Sequence, residues 1–124
     1  MAKRILYKSH CTPQEQVSAD GRYYLDGDCG RKLTGSNLYE LGSDTTTTGT
    51  LTASGELGGD TGFDFIAVTA TSVTSGTVLL SLDNGTTSII KLLEGECFAS
   101  KIASAAQPYV TISGTATVEY MTGT

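Results

Sequence analysis

The stretch Thr77-Val-Leu-Leu-Ser-Leu-Asp-Asn-Gly-Thr-Thr-Ser-Ile-Ile-Lys-Leu-Leu-Glu-Gly-Glu-Cys97-Phe98 constrains the fold more than any other part of the chain. Two apolar runs flank Asp83-Asn84-Gly85, and a second turn sequence, Glu94-Gly95-Glu96, follows directly. Asn-Gly is a strong short-range hairpin sequence because a type I′ turn needs positive φ at both central residues. Asn tolerates that conformation, and Gly adopts it without a steric cost. The stretch therefore reads as strand, hairpin, strand, turn, strand, and it sets the class as all-β.

The rest of the chain extends that reading. Residues 3–8 alternate Arg4, Leu6 and Lys8 against Ile5 and Tyr7, as a short strand would. Residues 9–21 are polar and read as an extended arm or loop, and Arg22–Leu25 as a second short strand. Residues 31–45 are ambiguous. Asn37-Leu-Tyr-Glu-Leu41 suits a helical turn, but Gly35 and Gly42 bracket it too closely for a lasting helix. The Thr-rich segment 44–53 favours extended backbone, because the branched β-carbon restricts χ1, and it reads as an edge strand or a linker. Residues 54–62 read as a glycine loop.

Regular order is expected from Phe63 onward, with strands at 63–70, 77–82, 87–93, 97–102, 108–113 and 115–121, and Ser113-Gly114-Thr115 joining the last two. Short strands at this spacing are the pattern of an all-β sandwich or barrel, and the expected fold is an antiparallel β-sandwich, jelly-roll-like, with an extended N-terminal arm. The expected organisation is one domain, with an arm and edge-strand region at 1–62 and a sandwich core at 63–124. The predicted core is Phe65, Val68, Val78, Leu80, Leu82, Ile90, Leu92, Phe98, Ile102, Val110, Ile112, Val118 and Tyr120, lying between two sheets.

Charge is unevenly divided. Residues 1–32 have six basic side chains against four acidic ones, and residues 33–124 have two against nine. A weakly basic front on an acidic body argues against nucleic acid as a partner, which requires a clustered basic surface. The three cysteines, Cys11, Cys29 and Cys97, are odd in number and widely spaced, as expected for a reducing compartment rather than a disulfide framework. No apolar run approaches the ~18 residues of a membrane helix, and the first residues lack the apolar core of a secretory signal. The expected place of synthesis is therefore a cytoplasm, with no membrane partner.

Candidate chemistry is sparse. His10 and Cys11 would make a base and nucleophile, but adjacent residues of an extended segment point to opposite sides. A zinc site would need Cys29 and Cys97 to converge on them, and neither belongs to a short ligand pair. Asp26-Gly-Asp-Cys-Gly30 begins like a calcium loop, but Gly30 and Asn37 stand where ligands are required, leaving only an irregular arrangement of Asp20, Asp26 and Asp28 to consider. Gly55–Gly62 is glycine-rich but lacks the Lys-Ser or Lys-Thr and the following helix of a phosphate loop. Asn84-Gly85-Thr86 matches a glycosylation sequon that the hairpin already explains. Glu94 and Glu96 flank one glycine in a tight turn and would lie on a rim, outside any cleft. No catalytic, cofactor-binding or metal-ligating residue is expected.

The run Leu80-Ser-Leu-Asp-Asn-Gly-Thr-Thr, then Leu92-Leu-Glu-Gly-Glu-Cys-Phe98, then Thr117-Val-Glu-Tyr-Met121, resembles small all-β virion accessory proteins of tailed bacteriophages. In these a hairpin of similar sequence precedes two closing strands, and several are capsid decoration (cement) or head-tail accessory proteins. The resemblance covers roughly 63–121, and Glu94 stands where the pattern often has Pro. It implies a non-enzymatic structural protein of the virion, assembled in the host cytoplasm. Its partners would be the major capsid protein and its own copies, with a trimer as the expected oligomer. A second expectation, from a different class, is a carbohydrate-binding or adhesin-like sandwich, for which Tyr23, Tyr24, Tyr39 and Tyr109 are the candidate stacking residues.

Overall fold

The computed structural model describes residues 3–16, 21–25, 33–41, 46–58 and 64–124. The strands in chain order are β1 (Arg4–Cys11), β2 (Gln14–Gln16), β3 (Tyr23–Leu25), β4 (Leu33–Glu40), β5 (Thr46–Leu51), β6 (Gly55–Glu56), β7 (Phe65–Ser81), β8 (Ser88–Leu92), β9 (Cys97–Lys101) and β10 (Tyr109–Gly123). All pairings between these strands with a defined register are antiparallel, and no helix occurs among the described residues. The all-β reading is thus what the chain adopts. The chain divides into two compact units, Ile5–Leu38 and Met1–Arg4 with Tyr39–Thr124.

The larger unit is built on the long antiparallel pair β7–β10, which runs from Phe65 opposite Gly123 to Ser81 opposite Tyr109. β5 and β6 pair with the free side of β10, and β8 and β9 with the free side of β7, completing a six-stranded sheet. Seventeen residues is long for a strand, and β7 does not run straight. Its register against β10 shifts between Thr115 and Ala116 and again between Thr117 and Val118, leaving Thr74 and Thr71 as extra residues on β7. Such bulges bend a strand and raise its twist. Their polar groups find partners: Thr71 Oγ1 donates to the Thr117 carbonyl at 3.1 Å, and the Thr115 amide donates to Ser75 Oγ at 3.2 Å.

The bend lies where β7 passes from Ala70 to Val78, and side chains on both sides of it bury together. Ile66, Val68 and Ala70 before the bend join Val78 and Leu80 after it in one cluster with Leu57, Leu92, Val110, Ala116 and Val118. Gly76 and Gly114 oppose each other in the bend at φ of 78° and 93°. A Cβ on Gly76 would run into the backbone of Ser113, so only glycine fits this close approach. On the other face of β7, Phe65 stacks on Tyr39 with ring centroids 5.5 Å apart and planes 17° apart. The Leu41 amide, two residues on from Tyr39, donates to the Lys3 carbonyl at 3.1 Å.

The core expectation holds at the named positions. Phe65, Val68, Val78, Leu80, Leu92, Val110 and Val118 are buried, while Leu82, Ile90, Phe98, Ile102, Ile112 and Tyr120 are partly buried against them. The hydrogen-bonded body is one six-stranded sheet, an arrangement compatible with the expected sandwich and jelly-roll layering.

Other expectations change. Segments 63–70 and 77–82 merge into the single strand β7, from Phe65 to Ser81; Leu82 follows it, and Phe63 lies outside the described residues. Ser113-Gly114-Thr115 is no connection but the middle of β10, because the Gly76–Gly114 pair lets both strands bend without breaking the ladder. Residues 37–41 form no helical turn: through Glu40 they belong to β4, which pairs with β1. The Thr-rich segment is an edge strand, paired through Thr46–Leu51 with β10. In the glycine loop, Leu57 is fully buried and its amide donates to the Pro108 carbonyl at 3.2 Å.

The smaller unit has a different character. β1 and β4 form a two-stranded ribbon, and β2 pairs with β3 as a short hairpin, so part of the segment read as a loop at 9–21 is extended and paired. The side chains described between Ile5 and Leu38 are exposed or half-buried, none fully buried. Leu6 and Tyr23 are each 60% exposed and Leu33 57%.

Candidate functional site

The hairpin tip is held by a set of backbone and side-chain hydrogen bonds. Asn84 and Gly85 sit at φ of 59° and 88°, the type I′ pair that the sequence predicts. The Thr86 amide reaches the Asp83 carbonyl at 3.4 Å across the turn. The strands do not pair directly beside it: the register steps between Leu80 and Ser81, and Ser81 faces Ser88. The longer loop is held by side chains instead. Asp83 Oδ1 accepts the Thr87 amide at 2.9 Å, and Ser81 Oγ accepts the Gly85 amide at 2.7 Å. The Asn84 amide donates to the Gln107 carbonyl at 2.9 Å, tying the tip to the segment before β10. Hydrogen bonding from the Thr87 amide holds the Asp83 carboxyl below the usual carboxylate range. The sequon residues Asn84-Gly85-Thr86 are the turn itself.

Glu94 and Glu96 bind backbone. Glu94 Oε1 accepts the Val73 amide at 3.1 Å, reaching the bulged part of β7, and Glu96 Oε1 accepts the Leu93 amide at 2.7 Å within its own turn. The backbone of this turn also pairs with β7, the Gly95 amide donating to the Ala70 carbonyl at 2.7 Å. These carboxylates hold the interruption between β8 and β9 against the bend, and they do not face one another across a cleft.

The remaining candidates are dispersed. His10 lies exposed on β1 with Thr12 Oγ1 at 2.7 Å from its Nε2, and Cys11 and Cys97 are exposed free thiols. Cys29 and the acids Asp20, Asp26 and Asp28 lie outside the described residues, as does the second half of the Gly55–Gly62 loop. Among the described residues no three His, Cys, Asp or Glu side chains gather as a metal site would require. Among the described residues no helix is long and apolar enough to cross a membrane.

The candidate tyrosines differ in exposure. Tyr39 is buried against Phe65, and its hydroxyl lies 3.5 Å from Asp64 Oδ2. Burial, then the Asp64 charge and hydrogen bond, raise its pKa. Tyr109 is half-buried, its ring about 3.0 Å from where a Cβ on Gly85 would stand. Tyr23 is exposed, and the side chain of Tyr24 lies outside the described residues. Three coplanar exposed rings, the arrangement sugar stacking would use, are not formed by Tyr23, Tyr39 and Tyr109.

One concavity was not foreseen. A shallow depression of about 390 Å³ opens on β5, β10 and β7, lined by Thr48, Thr50, Ala67, Thr69, Glu119 and Met121 among others. It forms where β7 presents small side chains, Ala67 and Thr69, beside the longer Met121 and Glu119 on the middle strand β10. Its chemistry is a few hydroxyls, one carboxylate and a thioether, which suits contact and hydrogen bonding. Alternating small residues along 67–69 were the only sequence trace of it. No protein-family model, curated protein or solved structure matches this chain.

Proposed function

We propose that the chain is a non-enzymatic structural protein of a virion, a capsid decoration (cement) protein that stabilises the head by binding the major capsid protein. The observation that supports this reading is the ribbon of β1 and β4, each eight residues long, in which twelve of the sixteen residues are exposed in the free chain. Two-stranded ribbons are marginal alone in water, and a segment that buries little surface by itself gains order on a partner. Leu6, Tyr23 and Leu33 supply apolar surface for such a contact, and Lys3, Arg4, Lys8 and Arg22 supply positive charge. The body needs no active site for this role. Its hairpin and turn carboxylates are engaged with backbone, which suits a rigid platform carrying a docking segment.

The test is co-sedimentation with heads assembled from the major capsid protein encoded beside this chain's gene. The full chain should bind, and a chain lacking residues 1–20 should bind at least about tenfold more weakly while keeping a folded body. Amide exchange in 5–38 should be fast in the free protein and slow on the head, with β7 and β10 protected in both states. Undiminished binding by the truncated chain, or equal protection of both regions in the free protein, would sink the docking role of this segment.

A further inference from the structure

The two lateral edges of the six-stranded sheet are built differently, and the difference points to a contact. One edge is carried by β8 and β9. It is broken in the middle by the Leu93–Glu96 turn, steps in register near Leu80, and carries Lys91, Glu94, Glu96 and Lys101. Interruptions, bulges and charges are the devices by which natural sheets prevent edge-to-edge pairing. The opposite edge is carried by β5 and β6; it breaks at 52–54 and bears Glu56 on β6, but its six-residue stretch β5, Thr46-Thr-Thr-Gly-Thr-Leu51, has none of these devices within it. This stretch contains no charge and no proline, and its pairing with β10 runs through all six positions without a shift. Thr46, Thr47, Thr48 and Thr50 are exposed, and among the described residues β5 has no strand on its outer side.

We propose that this edge pairs with the β5 edge of a second copy of the chain, antiparallel about a two-fold axis, joining two sheets into one. Two features select a copy of the same strand as the occupant. An uncharged strand meets no like charge when paired with itself, whereas most other segments would bring a charge to this edge. Its sequence is also self-complementary. Directly opposed residues of an antiparallel pair lie on the same face, so a two-fold register centred on Thr48 opposes Thr48 to Thr48 and Thr46 to Thr50 on the face that carries the depression. Those are Thr–Thr pairs, one of the favourable cross-strand combinations. The contact also terminates itself. Once the two β5 edges are joined, the edges left open are the interrupted, charged ones, and the assembly closes at two copies. This inference is independent of the capsid reading, and it predicts a dimer where the resemblance implies a trimer.

Sedimentation velocity on the full chain across the micromolar range tests it. The wild type should pass from monomer to dimer with concentration. Thr48→Lys and Thr48→Glu each place like charges face to face on the axis and should weaken the dimer at least about tenfold. An equimolar mixture of the two should restore a dimer containing one copy of each, read by native mass spectrometry. Amide exchange in β7 and β10 serves as the folding control. If position 48 tolerates neither change, the register gives a second pair: Thr46→Glu/Thr50→Lys should dimerise and Thr46→Lys/Thr50→Lys should not. A wild type that is monomeric or trimeric throughout, a dimer indifferent to these charges, or a Lys/Glu mixture that fails to pair would overturn the proposal.

Discussion

The body and the segment Ile5–Leu38 are both made of antiparallel strands, yet they solve the problem of burial in opposite ways. In the body, one long strand carries partners on both sides and bends so that apolar side chains from either end of it meet. Ile66 and Leu80 lie fourteen positions apart in sequence and are both fully buried in the same cluster. In Ile5–Leu38, each strand has a single partner and no side chain described is fully buried. Strand propensity is similar in the two regions, since both alternate and both contain branched or aromatic residues. What separates them is the number of layers a side chain can reach, because a two-stranded ribbon alone offers no second layer for either of its faces.

The sharpest way to break this comparison is to delete an apolar side chain from each region. Leu80→Ala removes a fully buried side chain and should cost about 2–5 kcal/mol. Leu33→Ala, at a position 57% exposed, should change the stability of the free chain by no more than about 0.5 kcal/mol. Urea unfolding followed by a body-specific probe measures both. Comparable losses would mean that the ribbon is stabilised as strongly as the body, and the contrast would fall.

Most of the body was legible because its information is local. Asn84-Gly85 names its own turn, and the alternation through Val78, Leu80, Leu92, Val110 and Val118 names a buried face. The errors fall where a distant partner decides. Asn37–Leu41 looked too short and too glycine-bounded for a helix, but its true state depends on pairing with β1, some thirty residues earlier, and on the Phe65 ring beneath Tyr39. Gly114 looked like a turn because glycine in a strand pattern usually marks one. Its role becomes visible only when Gly76 is placed opposite. Leu57 was hidden among glycines, since one apolar residue has no periodicity to display. The depression on β5, β10 and β7 and the bare β5 edge were equally illegible. Each depends on which strands are neighbours, and that was not written in any short stretch.

A second experiment sharpens the account of how the body bends, using two glycines with similar backbone and different surroundings. Gly76 and Gly95 both have positive φ, 78° and 84°. A Cβ at Gly95 would meet nothing within 4 Å, while one at Gly76 would collide with the Ser113 backbone. Gly95→Ala should therefore cost only the left-handed backbone penalty, about 1–2 kcal/mol. Gly76→Ala adds overpacking of about 1–3 kcal/mol, for a total near 3 kcal/mol. Thermal unfolding of the two variants gives the difference. Equal effects would show that the bend is compliant and that close approach of β7 and β10 is not what fixes it.

The smallest effect is expected at the hairpin tip, where pH acts on a single exposed carboxylate. Asp83 accepts the Thr87 amide in the folded chain, and that bond lowers its pKa relative to the unfolded chain. A depressed folded pKa contributes stability that is fully present above the unfolded value of about 3.9 and is lost as pH falls through the folded value. Asp83→Asn keeps a side-chain oxygen able to accept the same amide but removes the charge. At neutral pH the wild type should melt slightly higher than Asp83→Asn, and the two should converge as the solution is acidified below pH ~4. Exposure to solvent keeps the difference small, since screening weakens charge effects there. The comparison of regions adds a spatial condition: the acid-dependent change in amide exchange should appear at 82–88 and in the paired segment near Gln107, and leave Ile5–Leu38 unmoved. A gap that persists unchanged at low pH would show that Asp83 supports the turn through geometry rather than charge. An acid response in Ile5–Leu38 would show that the two regions are energetically coupled, which the lack of a fully buried side chain among its described residues argues against.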